Sequence, residues 1–375
     1  MSEQSLFDKV LSPGPVNAAP HLCLKARHGN SGCRACAEVC PSDAIILNPS
    51  PQIDSSKCGG CGACVNICPT EAFSLTDLTY EALLGQLEGS QSKELACSQL
   101  AETENAVAIP CAGYLDESFL ITAALLDDRP LVINTSDCRK CDFRSGVKAG
   151  IKSLKRARQL LSVCGKDSKI VISHQKADGL RVLNRSRDFS RREFFSHLGI
   201  GMRKRVGDAV ESAGDSASRT KVSLEPRTPK KRIRLLEQTT KLGQTASGQI
   251  RANNLPFSMV EINHDCTACG MCVTFCPTGA LTVEKSQGSQ IINFDIQKCL
   301  GCDLCRDICP EKAVSFSSEI NGSELFKGKK KALIEHEEQL CIFCGNSFIS
   351  PGPDNLCFVC EKNKSLEEAL PGAWR

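Results

Sequence analysis

Aromatic side chains are scarce in these 375 residues: two Tyr, one Trp and 15 Phe. A chain of this length with so few rings fits several small cores better than one large one. Long apolar runs are missing too. Nothing approaches the roughly 20 consecutive apolar residues that cross a bilayer, and the N-terminal MSEQSLFDKVLSPGPVNAAP has neither the basic start nor the apolar stretch of an export leader. Neither sign of charge is in excess: 46 Lys and Arg against 43 Asp and Glu leave a net +3. That balance gives no whole-molecule field for nucleic acid or an anionic membrane. What the chain has in excess is cysteine, 25 residues. A secreted disulfide scaffold would be short and would not repeat cysteines at two- and three-residue gaps. The pattern predicts metal-ligating thiols in a reducing cytoplasm.

One block occurs four times: a cysteine-rich run closing on Cys-Pro, two further residues, then Ala and a short apolar segment. Cys40-Pro41, Cys68-Pro69, Cys276-Pro277 and Cys309-Pro310 close the blocks, in two pairs, one toward each end. Between the members of each pair, IILNPSPQIDSSKC and LTVEKSQGSQIINFDIQKC read as two strands joined by a polar turn. From Tyr80 to about Gln175 the rhythm changes. Apolar runs AVAIP, LVIN and KIVIS interleave with helical patterns YEALLGQLEG, ESFLITAALLDD and GVKAGIKSLKRARQLLSVC. This predicts a small parallel α/β domain with the residues after each strand gathered at one edge of the sheet. The expected class is α+β and multidomain: a tail over 1–20, a first cysteine module over 21–78, the α/β domain over 79–176, a basic linker with one or two short helices over 177–256, a second module over 257–333, and a compact cysteine module with a tail over 334–375.

In the second module Cys266, Cys269 and Cys272 precede Cys276-Pro277, and Cys299, Cys302 and Cys305 precede Cys309-Pro310, which duplicates Cys-x2-Cys-x2-Cys-x3-Cys-Pro. Three thiolates at this spacing wrap one face of an iron-sulfur cubane, while the fourth starts a helix aimed at the other cluster. The expected sets therefore cross: Cys266, Cys269 and Cys272 with Cys309, and Cys299, Cys302 and Cys305 with Cys276. The first module has one complete run, Cys58, Cys61, Cys64 and Cys68, in KCGGCGACVNICP, whose glycines allow backbone N–H groups to approach the sulfurs. Its other run is altered. Cys33, Cys36 and Cys40 are in place, but Asn30 stands three positions before Cys33, and the nearest candidate is Cys23, behind the insertion LKARHGNSG. A loop that returns Cys23 gives the sets Cys23, Cys33, Cys36, Cys68 and Cys58, Cys61, Cys64, Cys40; the alternative is a three-ligand cluster with Cys23 unused. With these positions filled by thiols, His21, His28 and His264 read as neighbours. Residues from about 21 to 78 and from about 257 to 318 resemble bacterial two-cluster ferredoxins. The resemblance implies ferredoxin-like modules with four 4Fe-4S clusters that pass single electrons at low potential.

In the α/β segment Cys97 follows KELA, Cys111 ends AVAIP, and Cys138 and Cys141 follow LVINTSD. Thiolates at the same ends of neighbouring parallel strands would converge on a metal centre; a redox-inert domain with buried thiols, or a mononuclear zinc, is the alternative. Cys164, alone at a helix end, reads as a packed small residue. The stretch from IPCAGYLDESF to KRARQLL resembles the small iron-sulfur delta subunit of hydrogenase and heterodisulfide reductase complexes, which implies a 2Fe-2S centre. The two-residue gap between Cys138 and Cys141, and the single Cys97 at the first strand, depart from that family and leave a 4Fe-4S centre open.

Cys341, Cys344, Cys357 and Cys360 give Cys-x2-Cys-x12-Cys-x2-Cys, with Gly345 turning the chain, a tetrathiolate pattern. It resembles a zinc ribbon and implies Zn, with mononuclear iron as the rival. The intervening NSFISPGPDNL is not basic, which argues against nucleic acid as a partner. FSRREFFSHLGIGMRKRV, around Arg191 and Arg192, has the look of a twin-arginine signal but is internal and runs into Arg203, Lys204 and Arg205. A basic amphipathic helix with Phe194, Phe195, Leu198 and Ile200 on its apolar side fits better, either docking a partner or lying solvated in the linker. No phosphate loop, dinucleotide fingerprint or nucleophile motif occurs. The function expected is relay of single electrons between a donor and an acceptor oxidoreductase, as subunit or partner of a cytoplasmic dehydrogenase, hydrogenase or reductase. The rivals are an enzyme with its catalytic metal in the middle domain and a cluster-bearing assembly or regulatory factor.

Overall fold

The computed structural model describes residues 14–48, 50–98, 106–136, 138–166, 169–174, 223–242, 248–286, 288–328, 330–349 and 356–369. The helix expected around Phe194 and Phe195 lies outside these residues. In the first module the cysteine spacing leaves room only for short elements: β1 (Val16–Ala18), α1 (Leu24–Arg27), α2 (Ala35–Val39), β2 (Ile45–Leu47), β3 (Pro51–Ile53), α3 (Ala63–Ile67) and β4 (Phe73–Leu75). β1 pairs antiparallel with β4, and β2 with β3. The core between them is partly sulfur: Cys23, Cys36, Cys64 and Cys68 pack with Val16, Ala72 and Phe73.

The alternation expected after Tyr80 folds as α4 (Tyr80–Gly89), β5 (Glu94–Cys97), β6 (Val107–Ile109), α5 (Glu117–Leu125), β7 (Leu131–Asn134), α6 (Val147–Val163) and β8 (Ile170–Ser173). The four strands are all parallel in the order β6-β5-β7-β8. Side-chain caps start two of the helices: Thr79 Oγ1 accepts the Ala82 N–H, and Asp116 accepts that of Phe119. α5 buries Phe119, Leu120, Ile121, Ala123 and Ala124, so its apolar character runs round the helix. It needs cover on two sides, and α6 gives one. The other comes from α7 (Lys230–Leu242), which lies in the range expected as a linker.

After β9 (Gln249–Arg251) the second module runs β10 (Val260–Ile262), α8 (Met271–Thr274), β11 (Leu281–Ser286), β12 (Ser289–Phe294), α9 (Leu304–Asp307), β13 (Val314–Phe316), β14 (Glu319–Asn321) and α10 (Gly322–Lys327). β10 pairs with β13 and β9 with β14. The chain closes with β15 (Lys331–Leu340), β16 (Ser347–Ile349) and α11 (Phe358–Ala369). β15 first extends the β11–β12 hairpin and then pairs with β16, so the boundary expected at 333/334 falls inside one continuous strand. A single apolar core links the middle domain, α7 and the second module, from Leu87 and Leu160 through Leu235 to Phe257 and Phe294. Among the described residues no helix is long and apolar enough to cross a membrane.

Candidate metal centres

The crossed cysteine sets are gathered in both modules. Cys40 lines one cavity with Cys58, Cys61 and Cys64, walled by Val16, Ile45 and Ile53. Cys309 lines another with Cys266, Cys269 and Cys272, beside Ile262, Ile292 and Val314. Burial, and then the charges of Cys68, Cys33 and Cys23, push Cys36 up to about 12. Cys23, Cys33 and Cys68 thus lie near Cys36. Burial and the charges of Cys299 and Cys276 likewise raise Cys302. The Ala repeated in each block has a structural reason: Ala44, Ala72, Ala280 and Ala313 are only 1–2% exposed. Three of them donate their N–H to the sulfur four residues earlier, at 3.3 Å for Cys40, 3.2 Å for Cys68 and 3.3 Å for Cys309. Thiols gathered in a largely apolar wall and met by N–H donors, with those such as Cys36 and Cys272 pushed up chiefly by burial, fit a cationic iron-sulfur core that ionises them on binding.

The altered run in the first module builds the junction between the two modules. Its insertion folds as α1, and Arg27 donates from Nε to the Phe275 carbonyl at 2.9 Å and from Nη2 to that of Cys276 at 3.2 Å. The same guanidinium reaches the Ser223 and Leu224 carbonyls at 3.0 and 2.6 Å. His28 meets the Phe275 ring edge-on at 4.6 Å, and the Gly32 N–H donates to Asp307 at 2.7 Å. Leu24 packs with Leu304 and Ile308, against Cys33 and Cys302. Neighbouring sets therefore lie near one another in succession: Cys64 feels the charge of Cys36, Cys33 and Cys302 line a common cavity, and Cys305 feels Cys272. His21 and His264 are exposed.

In the middle domain Cys97, at the end of β5, donates to the Pro110 carbonyl at 3.3 Å. Burial raises Cys111 to about 12 against the N–H of Gly113, and the charges of Cys97, Cys61 and Cys138 add to the rise. The sheet edge thus brings Cys97, Cys111 and Cys138 together, while Cys141 accepts the Phe143 N–H at 3.3 Å. Cys61, a first-module residue, was not expected here. The signal for it lay in KCGGCGACVNICP: a Cβ on Gly59 would come within 2.3 Å of the Phe143 ring, and one on Gly62, at φ +73°, within 2.7 Å of Tyr114. Those glycines make room for the middle domain. Cys164 is buried at the end of α6, and burial alone raises it, to about 11.

At the C-terminus the sulfurs of Cys341, Cys344, Cys357 and Cys360 all lie within 4.8 Å of one another. That spacing suits one tetrahedral ion, whereas a cubane needs its thiols farther apart. The N–H groups of Cys357 and Cys344 draw Cys341 down to about 6.

Compared with known proteins, residues 31–72 and 265–313 match the 4Fe-4S dicluster domain. The first match begins after Cys23. A DNA-directed RNA polymerase subunit Rpo3 of Methanosarcina acetivorans is 31% identical over 107 residues, 23% of this chain and 39% of that protein. An aliphatic sulfonate oxidoreductase polyferredoxin-like subunit of Pyrococcus furiosus is 36% identical over 58 residues, 15% of this chain and 32% of that one. The pyruvate synthase subunit PorD of Methanocaldococcus jannaschii is 38% identical over 59 residues, 16% of this chain and 65% of that subunit. The chain spans less than two thirds of the length of each of these relatives. The 4Fe-4S dicluster match itself occurs twice in this chain.

Proposed function

We propose that the chain is an electron-transfer protein that relays single electrons between redox partners. In this reading four 4Fe-4S clusters are held by Cys23, Cys33, Cys36 and Cys68; by Cys40, Cys58, Cys61 and Cys64; by Cys276, Cys299, Cys302 and Cys305; and by Cys266, Cys269, Cys272 and Cys309. Such a cluster supplies reversible uptake of one electron. The protein's part is to keep the sulfurs dry, to aim N–H donors at them, and to line the sets up. The observation that carries the reading is this line: Cys111 beside Cys61, Cys64 beside Cys36, Cys33 across one cavity from Cys302, and Cys305 beside Cys272. It makes the middle site one terminus and the Cys266 set, with its exposed Cys269, the other. Cys97, Cys111 and Cys138, with Cys141 nearby, would hold a further 2Fe-2S or 4Fe-4S centre. Cys341, Cys344, Cys357 and Cys360 would hold Zn in a structural ribbon.

Relatives named as subunits of an aliphatic sulfonate oxidoreductase and of a pyruvate synthase support enzyme partners, in this reading a dehydrogenase, hydrogenase or reductase in the cytoplasm. Protein purified without oxygen is expected to carry about sixteen irons in the four sets, a further two or four from the middle site, and one zinc. Dithionite should produce the EPR signals of reduced, mutually interacting clusters, and the double variant Cys302→Ser, Cys305→Ser should lose about four irons. A colourless, iron-poor preparation, or full iron retention in that variant, sinks the reading.

A further inference from the structure

Where the two cysteine modules, the middle domain and α7 meet there is a cavity of about 390 Å³. Its floor is buried and polar: Asn66, Ser153 and Arg232 are 4–5% exposed. Its mouth carries exposed cations, Arg34, Lys152 and Arg306. A volume of this size is that of a small-molecule site rather than a packing defect.

Most of the acids on its wall are already engaged; Glu38 is exposed, and the buried Oδ2 of Asp116 takes no hydrogen bond. Glu117 accepts from Ser153 at 3.0 Å and from Arg156 at 3.4 Å; Asp303 accepts from Arg306 at 2.7 Å, and Asp307 from the Gly32 N–H at 2.7 Å. Asp116 takes the Ser118 hydroxyl at 2.7 Å and the Phe119 N–H at 2.8 Å, and burial raises it, so it neutralises its neighbours less than an exposed carboxylate would. The donors are not all engaged. Arg232 spends Nη2 on the Pro256 and Cys299 carbonyls, at 2.8 and 2.7 Å, yet its buried Nη1 has no partner, and neither does the buried Nε of Arg156. Burial, and then the like charge of Arg156, lowers the Lys152 ammonium, so these cations are crowded. Buried guanidinium donors left unmade are costly, and what satisfies them best is an oxyanion that accepts from both while offsetting their repulsion.

We propose that this cavity is a binding site for a small oxyanion, a carboxylate or a phosphate, held by Arg156 Nε and Arg232 Nη1 on the floor and by Lys152 at the mouth. The ligand would sit between the loops that carry Cys33 and Cys302 and would tie three modules together.

The test uses the full-length protein, purified anaerobically and exchanged into a phosphate-free chloride buffer. Sodium acetate, sodium succinate and inorganic phosphate are titrated in turn at constant ionic strength, by calorimetry and by thermal unfolding. At least one is expected to bind saturably with Kd below about 1 mM and to raise the unfolding temperature. Which of them binds distinguishes a carboxylate site from a phosphate site. Arg156→Gln and Lys152→Met should each weaken that binding by about tenfold or more. Lys152 is exposed, so its variant keeps the test decisive should Arg156→Gln fold poorly. Absence of saturable binding by all three anions, or unchanged affinity in the folded variants, overturns the proposal.

Discussion

Arg27 joins the two cysteine modules through four main-chain carbonyls, those of Ser223, Leu224, Phe275 and Cys276. Two of them lie on either side of the Cys276 Cα, so one side chain ties the first module to a candidate ligand of the second. Arg27→Met keeps the aliphatic stem and removes every one of those donors. Part-buried carbonyls without partners each cost on the order of 1 kcal/mol, so the variant should lose roughly 2–3 kcal/mol in urea unfolding while keeping its full iron content. Unchanged stability would show that other contacts hold the junction. Asn66 plays the matching part on the other side: its Nδ2 donates to the Gly113 and Leu115 carbonyls, both at 2.9 Å, and its Oδ1 accepts from Ser153 at 3.0 Å. Neither residue is a ligand candidate by type, and both sit where a single side chain satisfies main-chain groups of another module.

At the scale of elements, α7 and β15 join parts that read as separate in the sequence. α7 is rich in Lys and Arg, yet Arg232 is 5% exposed, reaches across to Cys299 and lies over the Phe257 ring at 5.0 Å. Lys231 donates to the Asn66 and Cys68 carbonyls, and Glu71 takes the first N–H groups of the helix at 2.9 and 2.7 Å. β15 serves two sheets. Its first part pairs with β12, and Glu338, Gln339 and Leu340 pair with Ile349, Phe348 and Ser347 of β16. If zinc organises the C-terminal turn, Cys344→Ser should lose the zinc and speed amide exchange at Glu338 to Leu340. Exchange at Lys331 to Ile334, held by β12, should stay slow. Equal loosening of both halves would mean that the strand depends on the metal throughout.

For the whole molecule, the continuous core from Leu87 to Phe294 means that the middle domain, α7 and the second module do not have separate interiors. Heat should therefore unfold them together, in one calorimetric transition for the loaded protein, because no one of them can keep its buried face without the others. Two resolved transitions, with the α/β sheet melting apart from the second module, would contradict this. The same packing sets the order of the cysteine sets, since Leu24 of α1 lies in an apolar cluster flanked by both Cys33 and Cys302 and the glycines near Cys61 admit Tyr114 and Phe143.

The amino-acid sequence by itself determined the local chemistry. Cysteines at gaps of two and three, closed by Cys-Pro, marked the repeated 4Fe-4S dicluster segments, because ligand spacing is a property of a few consecutive residues. The alternation after Tyr80 marked β5 to β8 as parallel for the same kind of reason: strand and helix periodicities are local. Only the tertiary structure decided what the insertion before Cys33 is for, why Arg232 of α7 is buried, and that Cys61 lies near Cys111. Those depend on carbonyls and rings more than a hundred residues away in the case of Arg27 and Arg227, whose partners include Phe275 and Thr70. A guanidinium in a linker and one in an interface are written with the same letter, and burial by distant partners is what separates them.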